Sequence, residues 1–212
     1  MKKYRTTVKN ITYDIIKYYD GTKKWYLNGL LHRENGPAIE DLYGHKEWYK
    51  NGKLHREEGP AIEYANSDKF WYKNNKLDRD GGPAKEYAEG TKEWFKSGLY
   101  HREGGPAIER SNGDKLWYKN GRLHRDDGPA IENSDGTKRW YENGELHRVG
   151  GPAIEWLDRY KLYFINGKRH REDGPAIDYK GGKSEYYFNN THLKHIKTDE
   201  ELKKYIKLLS IS

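Results

Sequence analysis

The chain has 212 residues, with 40 Lys and Arg against 33 Asp and Glu, a net charge of +7, and no Cys. Only 35 residues are Leu, Ile, Val or Phe, while 30 are Trp, Tyr or Phe. So few aliphatics exclude an ordinary domain of this length built on a deep Leu/Ile/Val core, and the rings argue against disorder. The lack of Cys excludes a disulfide framework, a thiolate metal site and a cysteine nucleophile. No apolar run approaches the roughly 18 residues that span a membrane. The basic start Met1-Lys2-Lys3-Tyr4-Arg5 is not followed by an apolar stretch, so no signal peptide is expected. Acids and bases alternate along the chain, with no basic block.

Residues 1–20 contain Ile11-Thr12-Tyr13 and Ile15-Ile16-Lys17-Tyr18-Tyr19, read as one or two strands that cap the first hairpin. From residue 21 to residue 190 one pattern repeats. All seven prolines, Pro37 to Pro175, fall 23 residues apart, each between Gly and Ala. Arg33, Arg56, Arg79, Arg102, Arg125, Arg148 and Arg171 keep the same step. So do Trp25, Trp48, Trp71, Trp94, Trp117 and Trp140, continued by Tyr163 and Tyr186, each followed by Tyr or Phe. Eight aromatic pairs mark eight units, the last incomplete, and a fixed period of this size signals a repeat architecture.

A Gly-Pro pair and further Gly in every unit leave no room for a normal helix. Lys46 to Lys50 suits a strand, Asn51-Gly52 a turn with positive φ, and Ala61 to Tyr64 a second strand whose start the Gly-Pro pair fixes. Asn112-Gly113 and Asp135-Gly136 mark the return turn. Leu54-His55-Arg56 falls in or beside the longer connection, where a third short strand stays open. The expected fold is all-β, an elongated single-sheet solenoid of about eight 23-residue β-hairpin repeats with a short C-terminal capping helix. At about 4.8 Å per strand, sixteen strands would extend on the order of 75 Å, with equivalent residues roughly 10 Å apart. The third unit is irregular, with Asn75 for Gly, Asp78 for His and Lys85 for Ile. Within the C-terminal region, residues 191–212, Thr198-Asp199-Glu200-Glu201 reads as a capping box, and Leu202, Tyr205, Ile206 and Leu209 come next at helical spacing. A helix over about 198–209 would cover the last hairpin's edge, which would otherwise invite strand pairing.

These units resemble the MORN (membrane occupation and recognition nexus) repeat, on the cue Tyr-x-Asn-Gly-Lys-x-His-x-x-x-Gly seen from Tyr49 to Gly59. The likeness spans about residues 20–190. It is closer to a variant with Trp-Tyr-x-Asn-Gly and His-Arg-x-x-Gly-Pro-Ala, similar to repeats of large DNA viruses, phages and some bacteria. It departs from the usual unit, which has more Gly, no Pro after the second Gly and no Arg column. The resemblance implies a β-hairpin solenoid that acts as a scaffold or binding module, in some cases at membranes. Some bacterial variants are antitoxin- or immunity-like. It supplies no catalytic residues. With no cysteine, signal peptide or spanning stretch expected, the chain is read as cytoplasmic, in the host's cytoplasm if the source is viral.

Among candidate sites, the column His32, His55, His101, His124, His147 and His170 suggests metal, but residues roughly 10 Å apart cannot share one ion. Hydrogen bonding to turns is the favoured reading, with pH sensitivity as a second. The Arg column could follow phosphates. The acids beside it, among them Glu63, Glu109 and Glu132, favour an Arg–Glu ladder, with Arg56, Arg102 and Arg125 as its type residues. Strand alternation sends each Trp and the next ring to opposite faces. We expect Trp48, Trp71, Trp94, Trp117 and Trp140 to form the core ladder with Ile62-type residues. Tyr49, Tyr72, Phe95, Tyr118, Tyr141 and Phe164 would then line the other face with Ala and Glu, as a row for partner contact. No phosphate loop, zincin helix or nucleophile elbow is present. The expectation is a non-enzymatic protein with no cofactor and no metal. A protein partner comes first, with nucleic acid or acidic lipid as alternatives. An antitoxin and a virion component are further alternatives.

Overall fold

The structure, a computed structural model, describes residues 1–157, 159–182 and 184–211. Its contacts divide into two compact units. One is Met1–Arg102 with Ala107–Ser111, the other Glu103–Pro106 with the chain from Asn112 onward. The first unit opens with β1 (Lys2–Val8) and β2 (Ile11–Lys17), paired antiparallel over seven residues from Lys2↔Lys17 to Val8↔Ile11. The turn residues Lys9 and Asn10 both have positive φ. β2 then pairs with β3 (Lys23–Leu27), which carries the first tryptophan. Tyr13, Ile15 and Trp25 bury each other, with Ile11 and Leu27 alongside.

Later units are cut in two at the tryptophan. Lys46–Glu47 pairs with Ile39–Glu40 before it and Ile62–Glu63 after it, whereas Tyr49–Lys50 pairs with Lys53–Leu54 as a separate two-stranded hairpin. Trp48 joins the two ladders. Its N–H donates to the Ala61 carbonyl at 2.8 Å, and its own carbonyl accepts from the His55 N–H at 3.0 Å. The single strand expected over Lys46 to Lys50 is therefore two strands, because the hydrogen-bond partner changes at the ring. The third strand stops at Leu54, so His55 and Arg56 lie in the connection. The main ladder of the first unit continues through Lys69–Phe70, Lys85–Glu86 and Lys92–Glu93 to Ile108–Glu109. The second unit has its own antiparallel ladder, from Lys115–Leu116 to Ser184–Glu185.

Small residues set the geometry. Asn51 and Gly52 have φ of 50° and 75°, the two positive values of a type I′ turn, which matches the twist of the strands it joins. The alanine after each proline, from Ala38 to Ala176, is 0% exposed. The glycine before each proline has a different task. A Cβ on Gly128 would stand 2.9 Å from Cζ of Arg125, and one on Gly59 3.1 Å from Cζ of Arg56. Arg56 Cζ lies 3.9 Å from the centroid of the Trp48 ring, and Arg125 Cζ 4.1 Å from that of Trp117. The guanidinium is clamped between an indole and a glycine backbone.

The second unit ends in α1 (Asp199–Leu209), capped by Thr198 and Glu201 in the reciprocal arrangement read from the sequence. Leu202, fully buried, packs with Tyr186, Leu193 and Ile196. The Tyr186 hydroxyl donates to Asp199 Oδ1 at 2.9 Å and so ties the helix start to the last hairpin.

The clamp and the helix anchor can each be tested. Gly128→Ala must displace the Arg125 guanidinium and should lower stability by about 1–3 kcal/mol, in the range of overpacking. In the Arg125→Ala background the same change should cost much less, and urea unfolding of the four variants measures that coupling. At the helix anchor, burial and then the bond to Asp199 push the pKa of Tyr186 up to about 12 from an ordinary 10.0. The folded state holds a proton that the unfolded state loses between those values, so this contribution falls as pH rises through the window. Tyr186→Phe should show less alkaline loss above pH 10 than the wild type in a stability–pH series.

Candidate binding surface

The two faces of each main ladder do different chemistry. One face carries charges. In the first unit Lys46 stands opposite Glu40 and Glu63, Lys69 opposite Glu63 and Glu86, and Lys92 opposite Glu86 and Glu109. Opposite charges on facing strand positions stabilise a sheet. The arginines close the same network. Arg56 Nη1 donates to the Pro60 carbonyl at 3.0 Å and to Glu63 Oε1 at 2.8 Å, and Arg125 Nη1 donates to Glu132 Oε1 at 2.8 Å. Arg102 Nη1 reaches Glu109 Oε1 at 2.6 Å. Trp48, Trp71, Trp94, Trp117 and Trp140 lie beneath these guanidinium groups, half-buried. The Arg column is thus engaged by ring, carbonyl and carboxylate.

The rings are grouped differently from expectation. Ile62 and Glu63 point to opposite faces, and Trp48, through Arg56, belongs with Glu63. The following ring goes to the isoleucine face. The Tyr49 hydroxyl donates to Glu47 Oε2 at 2.8 Å, and Glu47 stands opposite Ile39 and Ile62. Alternation along Glu47, Trp48 and Tyr49 is kept; the register, which sets Glu47 opposite Ile62 and Lys46 opposite Glu63, is what puts the tryptophan on the charged face. Nor are these rings an exposed row. Tyr49, Tyr72, Tyr118, Tyr141 and Phe164 are half-buried and Phe95 is buried. Across their hairpins Tyr49, Tyr72, Tyr118 and Tyr141 face Leu54, Leu77, Leu123 and Leu146, while Phe164 faces Arg169 and Phe95 faces Tyr100. Burial, then donation to Glu47, raises the pKa of Tyr49.

The histidines link neighbouring units. His55 Nδ1 accepts the N–H of Asn74 at 3.3 Å, and His124 Nδ1 that of Asn143 at 3.1 Å. An accepting Nδ1 puts the ring proton on Nε2, which lies 2.9 Å from Glu57 in His55 and 2.9 Å from Asp126 in His124. Asp78, in the gap of the column, does the same work, since its Oδ2 accepts the N–H of Ser97 at 2.7 Å. Among the described residues no group of three His, Asp or Glu could hold a metal ion, and no helix is long and apolar enough to cross a membrane.

Aromatic rings and column-breaking residues gather on the isoleucine face of the first unit. His45, Tyr64, Phe70 and Tyr87 form a chain of rings with centroids 4.9, 5.2 and 5.3 Å apart. His45 Nε2 lies 2.7 Å from Glu47 Oε1. Lys85 replaces the isoleucine of its column, with Nζ 3.6 Å from Glu93 Oε2 and 5.2 and 5.5 Å from the Phe70 and Phe95 centroids. Burial pulls its pKa down, but the Glu93 carboxylate and the Tyr87 hydroxyl outweigh that and raise it. The strand positions of the second unit hold Leu116, Arg139, Leu162 and, in the isoleucine column, Ile131, Ile154 and Ile177. A shorter ring run in that unit, Trp156, Tyr160 and Tyr179, has centroids 5.0 and 6.1 Å apart, with Arg159 already over Trp156 at 4.5 Å. Of the first-unit cluster only Lys85 stands out in the sequence, as an irregularity in a column. Departure from the repeat is the signal that marks its other members.

No family model matches the chain, and no curated protein is detectably similar to it.

The equivalence of Asp78 and histidine is testable. Asp78→Ala strands the Ser97 N–H and should cost about 1 kcal/mol, while Asp78→His restores the acceptor and should retain most of the stability. Urea midpoints of the two variants compare them directly.

Proposed function

We propose that this chain is a non-enzymatic β-hairpin repeat scaffold that binds a protein partner on the isoleucine face of its first unit. One observation carries the reading. The repeated Trp, Arg, Glu and His chemistry is consumed within the array, and His45, Phe70 and Lys85, which break their columns, share one face with Tyr64 and Tyr87. Tyrosine and other aromatics are enriched at interface centres, and an aperiodic cluster on a repetitive body distinguishes one partner from many. The resemblance to MORN-type repeats of viruses, phages and bacteria agrees with a scaffold. It makes a cytoplasmic host factor, a toxin or a virion component the partner classes to test first.

A second reading, anion binding, draws on the hairpins. Lys50 faces Lys53 and Lys73 faces Lys76, all exposed, and like charges directly opposite cost stability. A nucleic acid or acidic lipid would offset that cost, with an affinity that falls steeply as salt rises.

Capture from the source cell, with cross-linking and mass spectrometry, separates the two. We expect a protein cross-linked near Tyr64 and Phe70 that survives a high-salt wash. Recovery of nucleic acid or lipid alone, released by salt, would establish the second reading and end the first.

A further inference from the structure

Between the second and third repeats the isoleucine face opens into a cleft of about 480 Å3, lined by Asp41, Tyr43, His45, Tyr64, Asp68 and Phe70 among others. Its lining includes two carboxylates and four rings, and no lysine or arginine. The carboxylates are fixed in place. Asp41 Oδ1 accepts the N–H groups of Tyr43 and His45, at 2.9 and 3.0 Å. Asp68 Oδ1 accepts the N–H of Ala88 at 2.7 Å, and its Oδ2 accepts from Asn66 at 3.0 Å. These bonds orient both groups and leave their negative charge uncompensated by any cation in the lining. The strand lysines beside them, Lys46 and Lys69, belong to the opposite, charged face.

Two further features set the cleft apart. Tyr43 is 81% exposed in the turn at its rim, with Leu42 next to it at 76%, so its ring is open to an incoming group. The other concerns His45. Its Nε2 is engaged by Glu47, but its Nδ1 is buried and has no hydrogen-bond partner. Among the described residues it is the one buried side-chain nitrogen or oxygen in that condition.

From this lining we infer that the cleft receives a cationic side chain, a guanidinium or ammonium group, from a basic peptide segment of the partner. This rests on the protein-binding proposal and names its chemistry. Ring faces attract such a group through their quadrupoles, and the two aspartates supply the countercharge and further acceptors for its N–H groups. A free-energy gain from pairing is localised here, because the chain's net charge of +7 repels basic peptides elsewhere.

The test is a titration of the full chain with the peptide (Arg-Gly-Gly)4, followed by the His45 ring signals in NMR. Norleucine and glutamate versions of the same peptide serve as controls. Saturable shifts are expected with the arginine peptide and not with the controls. Tyr43→Ala and Tyr64→Leu should each weaken binding about three- to tenfold, the size of a cation–π contact. Asp41→Asn with Asp68→Asn removes the charge and keeps an acceptor at each Oδ1 position while giving up the Asn66 bond to Asp68 Oδ2, and should weaken it further and flatten its salt dependence. Equal binding of the norleucine peptide, or arginine binding indifferent to these variants, overturns the inference. The capture experiment separates the two claims. If the variants still cross-link the wild type's partner, the cleft assignment falls and the scaffold survives. If the wild type captures no protein, the scaffold reading falls, whatever the peptide does.

Discussion

The structure depends on one contact, a guanidinium held flat between an indole ring and the backbone of the glycine before proline. Arg33, Arg56, Arg79, Arg102, Arg125 and Arg148 each lie 3.8–4.1 Å over a tryptophan, and Arg171 lies over Tyr163 at 4.0 Å. The arrangement explains the Gly-Pro pair more directly than turn preference does. Glycine is needed for its missing Cβ, since Gly82 and Gly128 escape the positive-φ class and still touch the guanidinium. Proline contributes its carbonyl, which accepts from the same Nη1. A single cation–π contact is worth about 0.5–1 kcal/mol where exposed and about 2 when desolvated. These arginines are roughly a quarter exposed, so the individual contacts are modest and their repetition matters.

Between units the bonds are also small and regular. A histidine or Asp78 accepts a turn N–H from the next repeat, and the turn glycine donates to a leucine carbonyl, as Gly52 does to Leu31 and Gly144 to Leu123, both at 2.8 Å. Aliphatic burial is limited to one alanine and about one isoleucine per repeat. This is the energetics of a one-dimensional array, in which each unit needs only its neighbours. It resolves the composition: a chain poor in Leu, Ile, Val and Phe folds because its large residues stack with arginine rather than gather in one interior.

Much of this was legible from spacing. The period, the type I′ turns at Asn-Gly, the capping box at Thr198 and Glu201 and the self-neutralising Arg and Glu columns all follow from local rules. The faces were not. Alternation separates the two rings of each pair but does not say which of them faces isoleucine; that depends on register, which sets Glu47 opposite Ile62 and Lys46 opposite Glu63 and cannot be seen in residue types. The same register puts tryptophan on the charged face and tyrosine on the isoleucine face. Asp78 looked like a lost histidine because sequence compares identities, while the structure compares acceptors. The cleft was least legible of all, since its residues come from two repeats and the columns they occupy change residue type from one repeat to the next, as Asp41 to Tyr64 and His45 to Asp68.

Where the repeated Trp, Arg, Glu and His side chains already have partners, the array's own chemistry cannot distinguish one ligand from another. Arg56 is occupied by Trp48, Pro60 and Glu63, and His55 by Asn74 and Glu57. Recruiting either would mean breaking the contacts that hold the unit together. Binding at periodic positions would also be degenerate, since a partner could slide by one repeat and find the same groups. Selectivity therefore requires positions where the repeat is broken without loss of the fold. His45, Phe70 and Lys85 meet that condition: they break the pattern on a face where the ladder's hydrogen bonds are made by backbone alone. The repeat supplies a rigid, self-satisfied support, and the exceptions to it supply the identity.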